Sequence, residues 1–224
     1  MTFSLAARCA ESGRFGIVVT SSSPAVAARC AHARAGVGAA ASQNITDPSL
    51  GRGLLDLMAS GLSAPEALGQ LMAGREHREL RQLTCVDAAG RVASYSGERT
   101  LGRHAAAEGV GCVAAGNLLA DEGVPEEMVD AFEDEQGEDL GDRLVSALVA
   151  GLAAGGEEGP VHSAGLLIVD AVSWPVADLR VDWHDEPIHE LAGLWTMWKP
   201  QLAAYVARAI DPTTAPSYGV PGDE

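Results

Sequence analysis

The order in which strand-like and helix-like segments follow one another limits the fold of this chain most strongly. Three strand-like runs come first, then two helices, three strands, two helices, two strands and a last helix. The turn signals Glu11-Ser12-Gly13 and Ala88-Ala89-Gly90 join neighbouring strands over a few residues. Such short connections make strand pairs antiparallel, so the pattern by itself predicts an α+β protein with mostly antiparallel sheets.

The predicted strands are short apolar or β-branched runs that lie between turn residues. They span residues 3–8, 15–20, 37–43, 81–87, 91–96, 111–115, 164–170 and 179–183. The run at 164–170 is apolar almost throughout, which is typical of a buried strand.

Capping signals and apolar spacing predict the helices. Asp47 followed by Pro48 indicates an N-cap and the first position of one helix. Ser63 and Glu66 form a capping box at the start of the next helix. The remaining helices are predicted at 125–133, 140–152 and 188–205.

The last helix carries an apolar stripe that includes Trp195 and Trp198, and Pro200 interrupts it. A proline inside a helix kinks or splits it. An aromatic stripe of this kind is typical of a core or of a subunit interface, and we expect a homodimer or a higher homo-oligomer. Residues 1–210 are predicted to form one domain. Residues 211–224 are rich in Pro, Gly, Thr and Asp and are predicted to be a disordered tail.

The second residue, Thr2, has the position that an N-terminal nucleophile requires. Thr is small enough for removal of Met1, which would place Thr2 at the amino terminus of a predicted strand. Its hydroxyl is then a nucleophile and its free α-amino group is the base. An α-amino group has a pKa of about 7.7–8.0, so a useful fraction is unprotonated near neutral pH. In the alternative interpretation, Thr2 is an ordinary second residue.

Several segments occur together with this N-terminus in a fixed order. The runs Ala33-Arg34-Ala35-Gly36-Val37-Gly38 and Gly116-Asn117-Leu118-Leu119-Ala120 are the most specific of them. In their order and spacing, the chain resembles an uncharacterised bacterial family, domain of unknown function 1028, which is grouped with the N-terminal-nucleophile (Ntn) hydrolases. The resemblance runs from Thr2 to about Ile210. It implies a four-layer αββα sandwich and a hydrolase, and it says far less about the substrate.

The charge balance excludes one class of partner. The formal net charge is −16 at pH 7, so a phosphate backbone would be repelled and nucleic-acid binding is not expected. Lys199 is the single lysine of the sequence. The arginines nearest the N-terminal strands, Arg29 and Arg34, do not deprotonate, which leaves the α-amino group as the natural base.

Other sequence features favour a soluble protein without cofactors. No signal segment opens the chain and no apolar run reaches the ~18 residues of a membrane span, so we expect a cytoplasmic protein without a membrane partner. The polar group around His184 and His189 fits no standard zinc spacing, and no dinucleotide fingerprint is present. We expect no metal and no cofactor. Four cysteines without CxxC spacing are predicted to be buried free thiols: Cys9, Cys30, Cys85 and Cys112.

Asn117 is the main candidate for stabilising an oxyanion. It follows Gly116 at the end of a predicted strand, and an Asn amide or a Gly-flanked backbone N–H is a suitable donor to a tetrahedral oxyanion. The alternative is a turn asparagine in a left-handed conformation.

The candidate substrate-binding residues lie on the strands and loops expected near Thr2. Ser4 shares a strand face with Thr2, and it either orients the amino group or fills a polar rim. Ser42 and Gln43 end the third strand, and Asn44 follows in a loop. These three are predicted to bind the α-amino group or the substrate.

Two further residues are predicted at the same cleft. Arg34 either pairs with a substrate carboxylate or forms an ordinary ion pair. His162 precedes a buried strand and is expected to line the cleft.

The residues and the resemblance together predict an Ntn amidohydrolase that cleaves a small linear or cyclic amide, imide or ureido compound. Thr2 and Asn117 are its predicted catalytic residues. The alternative is a non-catalytic protein of the same fold that binds a small ligand or serves in assembly. A purely structural oligomer built on the Trp195 helix is a third interpretation.

Overall fold

The computed structural model describes residues 2–221 as two antiparallel β-sheets packed face to face, with helices on both outer sides. The strands of this part of the chain are β1 (Thr2–Arg8), β2 (Phe15–Ser21), β3 (Ala31–Arg34), β4 (Gly38–Asn44), β5 (Arg81–Asp87), β6 (Val92–Ser96), β7 (His104–Gly109), β8 (Cys112–Asn117), β9 (Ser163–Val169) and β10 (Pro175–Val181).

The helices of the same part are α1 (Ala27–Cys30), α2 (Pro48–Ala59), α3 (Ala64–Met72), α4 (Val124–Asp134), α5 (Leu140–Ala153), α6 (Pro187–Trp198) and α7 (Leu202–Ile210). Short 3₁₀ turns lie at Arg78–Leu80 and Lys199–Gln201. The predicted caps are confirmed: the Asp47 side chain accepts from the backbone of Ser49, and Ser63 and Glu66 form both bonds of a capping box.

The large sheet has the strand order β10-β9-β2-β1-β8-β7, and the small sheet has the order β3-β4-β5-β6. Every neighbouring pair is antiparallel. Strand β1 therefore lies inside the large sheet, between β2 and β8. Its register places Phe3 opposite Thr20 and Thr2 opposite Asn117.

Alternating side chains of β1 enter two different layers, because successive residues of a strand point to opposite faces. Phe3 and Leu5 pack beneath α4 and α5 in the outer core. Ala6 lies between the sheets, in a layer that also holds Ile17 and Val86. A third core lies between the small sheet and the helices α2 and α3.

This arrangement confirms the predicted α+β class with antiparallel sheets and the four-layer αββα sandwich. The four cysteines are all buried, as predicted. No helix within residues 2–221 is long and apolar enough to cross a membrane.

The differences from the predicted elements concern strands at sheet edges. Strands β3 and β7 were not predicted, and β10 begins at Pro175 rather than at 179. All three are edge strands. Two of them are built largely from alanine, which has little strand preference, and Pro175 starts a strand at an edge, where proline is tolerated. The short helix α1 was also not predicted.

Residues 216–218 fold back on α7. Pro200 splits the last helix as predicted, and the 3₁₀ turn there separates α6 from α7. Arg208 stacks on Tyr218 with its guanidinium carbon 3.7 Å from the ring centre. The predicted disordered tail at 211–224 stays a prediction, and residues 222–224 lie outside the described part, as does Met1.

Two helical glycines offer a test of the outer packing. A Cβ at Gly141 of α5 would lie 2.1 Å from Cζ2 of Trp195, whose indole is held by a 2.8 Å bond to Asp142. We expect Gly141→Ala to lower the free energy of unfolding by about 1–3 kcal/mol because the ring must move. Nothing lies within 4 Å of a Cβ at Gly69 of α3, so Gly69→Ala is expected to raise it by about 0.5–1 kcal/mol.

Urea unfolding of the two variants and the unmodified protein measures both effects. Equal stability changes in the two variants would contradict the described packing of α5 against α6.

Candidate active site

Thr2 lies at the amino end of a central strand, and its side chain belongs to the layer between the two sheets. The register places Asn117 of β8 opposite Thr2 on one side, and Ser21 of β2 takes the corresponding place on the other. Residues opposed across a strand pair share a face, so these three side chains form a row. Thr2 is only 5% exposed, and its hydroxyl donates to Ser21 Oγ over 3.5 Å.

Hydrogen bonds connect the hydroxyl of Ser21 to the guanidinium of Arg29. Ser21 Oγ and Ser23 Oγ are 2.8 Å apart, and Arg29 Nη2 donates to Ser23 Oγ over 2.6 Å. Arg29 also donates to the carbonyl of Ala25. The loop after β2 therefore links the Thr2 hydroxyl, through two serines, to a guanidinium that stays charged at all relevant pH values.

On the other side of Thr2, a buried amide network crosses between the sheets. Gln82 of β5 accepts hydrogen bonds from Asn117 Nδ2 at 3.0 Å and Gln43 Nε2 at 2.9 Å. It donates to the carbonyl of Gly116 at 2.9 Å. Ser4 Oγ donates to Gln43 Oε1 at 2.7 Å. The predicted residues Ser4, Gln43, Gly116 and Asn117 are thus brought together.

The network fixes which way the Asn117 amide points. Its nitrogen donates one hydrogen to Gln82, and its fully buried oxygen Oδ1 has no hydrogen-bond partner among residues 2–221. An amide nitrogen carries two donors, so one N–H remains for another acceptor. The next residue, Leu118, has a φ of +51°, which is costly for a leucine and marks a strained turn directly after the site.

Glu157 is a buried carboxyl group at the same end of β1. It is 6% exposed; its Oε1 accepts a 3.3 Å bond from the backbone of Ser22, and Oε2 has no hydrogen-bond partner in the described part. Burial raises the pKa of the Glu157 carboxyl to about 7, and the bonds from Ser22 oppose that rise. The nearby Cys30 is buried too; burial raises the pKa of its thiol, which disfavours a thiolate nucleophile there.

Two predicted site residues, Ser42 and Asn44, have structural partners instead of contacts with Thr2. Ser42 donates to the carbonyl of Asp47 on the helical side of the small sheet, away from Thr2. Asn44 has a φ of +68°, and its side chain ties the 3₁₀ turn at Leu80 to the backbone of Leu101.

Arg34 is not brought to Thr2. It pairs with Gly38 at the opposite end of β4, five residues or roughly 17 Å from Gln43. Its Nη2 lies 2.7 Å from Asp56, the ordinary ion pair that was the alternative interpretation. With Arg52 and Arg180 it lines a separate groove of about 360 Å³.

His162 lies at the rim of the site rather than in the row with Thr2. Its backbone N–H donates to the carbonyl of Ser21, and its ring stacks on Trp183 with ring centres 4.4 Å apart. Ser163, the next residue, points inward and donates to the carbonyl of Ser23 over 2.6 Å. His162 therefore borders the loop that holds Ser21.

A family model matches most of the chain. The model of a family of unknown function, DUF1028, matches residues 2–191, from Thr2 into α6. The chain belongs to the DUF1028 family. A protein of that family with a solved structure, SPO2555 from Silicibacter pomeroyi, is 27% identical with a TM-score of 0.81, over 88% of each chain.

More distant similarities exist to solved structures named Anbu. The Anbu ancestral beta-subunit from Yersinia bercovieri is 13% identical with a TM-score of 0.41, over 92% of this chain and 97% of its own. Anbu from Hyphomicrobium sp. strain MC1 is 10% identical with a TM-score of 0.39, over 97% and 100%. No curated protein matches the chain.

Several residues of the candidate site were not predicted from the sequence. They are Ser21, Ser23, Arg29, Gln82 and Glu157. The run Ser21-Ser22-Ser23 directly after a strand was a usable signal, because hydroxyl groups at a strand end next to Thr2 are well placed to contact it. Gln82 and Glu157 gave no such signal, since each becomes notable only through its burial. Within residues 2–221, no group of three or more His, Cys, Asp or Glu side chains is placed to hold a metal ion.

Removing the amide of Gln82 tests the network. Gln82→Met keeps the length of the side chain but removes the acceptor of Asn117 Nδ2, one of the two acceptors of Gln43 Nε2, and the side-chain donor to the Gly116 carbonyl. We expect the free energy of unfolding to fall by roughly 2–4 kcal/mol, because each buried polar group left unpaired costs about 1–3 kcal/mol. Gln70→Met, at an exposed position of α3, is the matched control and should change stability by less than about 0.5 kcal/mol. Urea unfolding measures both free energies of unfolding, and an equally small change in the two variants would contradict the network.

Proposed function

We propose that this chain is an N-terminal-nucleophile amidohydrolase that uses Thr2 after removal of Met1. One observation carries the proposal: Thr2 ends a central strand with its hydroxyl in the layer between the sheets, between Ser21 and Asn117. A side chain at the amino terminus of a strand keeps its own α-amino group within reach of its own hydroxyl. Nucleophile and base are therefore supplied by one residue.

The reaction follows from these groups. The Thr2 Oγ attacks the substrate carbonyl carbon while its proton passes to the α-amino group, and the carbonyl electrons move to the oxygen. The free N–H of Asn117 donates to this oxyanion. When the oxyanion collapses, the C–N bond breaks and the leaving nitrogen takes the proton from the ammonium group. Water then hydrolyses the resulting ester with the same base, which restores Thr2.

The surroundings favour a small, uncharged polar substrate, and the proposed reaction uses no cofactor. Ser4 and Gln43 lie within the same layer and are proposed to position the substrate amide, directly or through Asn117. The strongly acidic chain disfavours polyanionic substrates. A small linear or cyclic amide, imide or ureido compound fits these limits. We also propose a homo-oligomeric assembly, which sedimentation of the untagged protein checks.

The near-complete burial of Thr2 favours the alternative function, a protein of this fold that binds a small ligand without turnover or serves in assembly. A nucleophile that is 5% exposed needs an opening before a substrate reaches it. The alternative predicts ligand-induced stabilisation that does not depend on the Thr2 hydroxyl.

A labelling experiment separates the two functions. Intact mass of the untagged protein is measured before and after exposure to a β-lactone, an electrophile that acylates activated hydroxyl groups. We expect loss of Met1 and a single adduct that peptide mapping places on Thr2. Thr2→Ala should lose at least 100-fold in the labelling rate, because the hydroxyl that the β-lactone acylates is removed together with the γ-methyl group.

The variants are chosen so that the amino terminus stays comparable. Alanine is also small enough for removal of Met1, so Thr2→Ala retains the free α-amino group. Thr2→Ser keeps the hydroxyl and is expected to be labelled. Retained Met1, or an adduct that persists in Thr2→Ala, would refute the proposed function.

A further inference from the structure

Two buried oxygens that have no hydrogen-bond partner among residues 2–221 flank the amino end of β1. They are Asn117 Oδ1, on the strand residue opposite Thr2, and Glu157 Oε2. A buried acceptor without a donor costs about 1–3 kcal/mol, and more when it is charged. Two such oxygens beside one chain end indicate that a donor-rich group belongs between them.

The position of Glu157 follows from its contacts on both sides of β1. Its carboxylate accepts from Ser22, which directly follows β2, and its backbone forms a bridge with Leu119, which lies just beyond β8. Strands β2 and β8 are the two neighbours of β1. A residue that contacts both of them just past Thr2 lies on the line of β1, in front of its amino end.

A pair of glycines after α5 turns the chain toward the amino end of β1. Gly155 and Gly156 have φ values of +118° and +59°, which residues with a side chain rarely adopt. A Cβ at Gly156 would also lie 3.4 Å from the ring of Phe3, so the turn packs directly on β1. The turn after α5 thereby delivers Glu157 to the end of the strand.

We propose that Glu157, together with Asn117 Oδ1, forms the receptor that holds the α-amino group of Thr2 once Met1 is removed. This rests on the proposed function, and it assigns a positioning role that the nucleophile itself does not supply. An ammonium group carries three donors, enough to satisfy both oxygens and leave one directed toward the Thr2 hydroxyl. The receptor fixes the direction in which the base faces the nucleophile.

The charge of Glu157 also sets the protonation of that base. A carboxylate within about 4–6 Å favours an ammonium group and raises its pKa by about 1–3 units. Other titratable groups on the surrounding elements are Cys30 and Arg29 of α1, His162 before β9, and the exposed pair of Arg103 and Glu158. Arg29 and Arg103 already have acceptors, and the Cys30 thiol stays neutral because burial raises its pKa.

The test measures the pKa of the α-amino group directly. Chains that begin at Thr2 are released from a fusion cleaved immediately before it, so the measurement does not depend on processing in the cell. Acetylation by limiting acetic anhydride at several pH values reports the unprotonated fraction. We expect the pKa of the α-amino group in Glu157→Gln to be lower than in the unmodified chain by at least about 1 unit.

Two further variants make the result specific. Glu158→Gln removes an equal charge one residue away at an exposed position, and it should shift the pKa by less than about 0.3 unit. Glu157→Asp keeps the charge at a shorter reach and should give an intermediate value. Thermal unfolding of each variant checks that it is folded. An unchanged pKa in folded Glu157→Gln, or an equal fall in Glu158→Gln, would overturn the proposal.

The β-lactone reaction shows whether such a result concerns the receptor or the proposed function. If the receptor is correct, the pH midpoint of Thr2 labelling falls in Glu157→Gln and its maximal rate drops at least tenfold. A shifted amino pKa without any labelling of the unmodified chain would support the receptor and refute the hydrolase. Labelling at Thr2 with the same pH midpoint in both chains would support the hydrolase and refute the receptor.

Discussion

The hydrogen-bond network between the two sheets holds the residues of the candidate site in place. At one end of the sandwich the layer between the sheets is apolar, with Phe15, Ile17 and Val86. At the other end, Gln82 joins residues of both sheets through its side-chain amide. Buried amides are tolerated only when they are paired, so this network fixes the separation and register of the sheets at the end that holds Thr2.

Small side chains allow these hydrogen bonds to span the layer between the two sheets. Ala6, Ala39 and Ala41 fill the apolar part of the layer, and Gln43 reaches the backbone of Ala115 across it. Alanine contributes little volume, so the sheets approach closely enough for a glutamine side chain to span the gap. The low aromatic content of 4%, which looks like a weakness in a core, is consistent with this close approach.

How much of the fold could be predicted from the sequence depends on how strongly each segment was constrained locally. The caps at Asp47 and Ser63 specify their helices within a few residues, and both helices form as predicted. Edge strands are different, because pairing on one side and exposure on the other give a weak pattern. The strands β3 and β7 became recognisable only through their partners.

The candidate site divides in the same way. Strand alternation and a strand end place four of the predicted residues, so these could be predicted: Thr2, Ser4, Gln43 and Asn117. The positions of Arg34 and Ser42 depend on the direction of their strands in the folded sheet and on the sheet face to which each side chain points. Ser42 differs from Gln43 by one position, and that single step turns its side chain to the opposite face of the sheet. Gln82 and Glu157 could not be found from their own segments, since burial and pairing with distant strands give them their roles.

Backbone strain and unpaired polar atoms occur together at the amino end of β1. Leu118 has a positive φ, the carboxyl group of Glu157 is buried, and within residues 2–221 the Asn117 side-chain oxygen has no hydrogen-bond partner. A chain with a formal charge of −16 gains nothing electrostatically from burying one more carboxylate, and burial alone costs free energy. Each of these features is unfavourable by itself. A single positively charged donor at the end of β1 would compensate the two unpaired oxygens together, and the α-amino group of Thr2 is the group that the chain itself can place there.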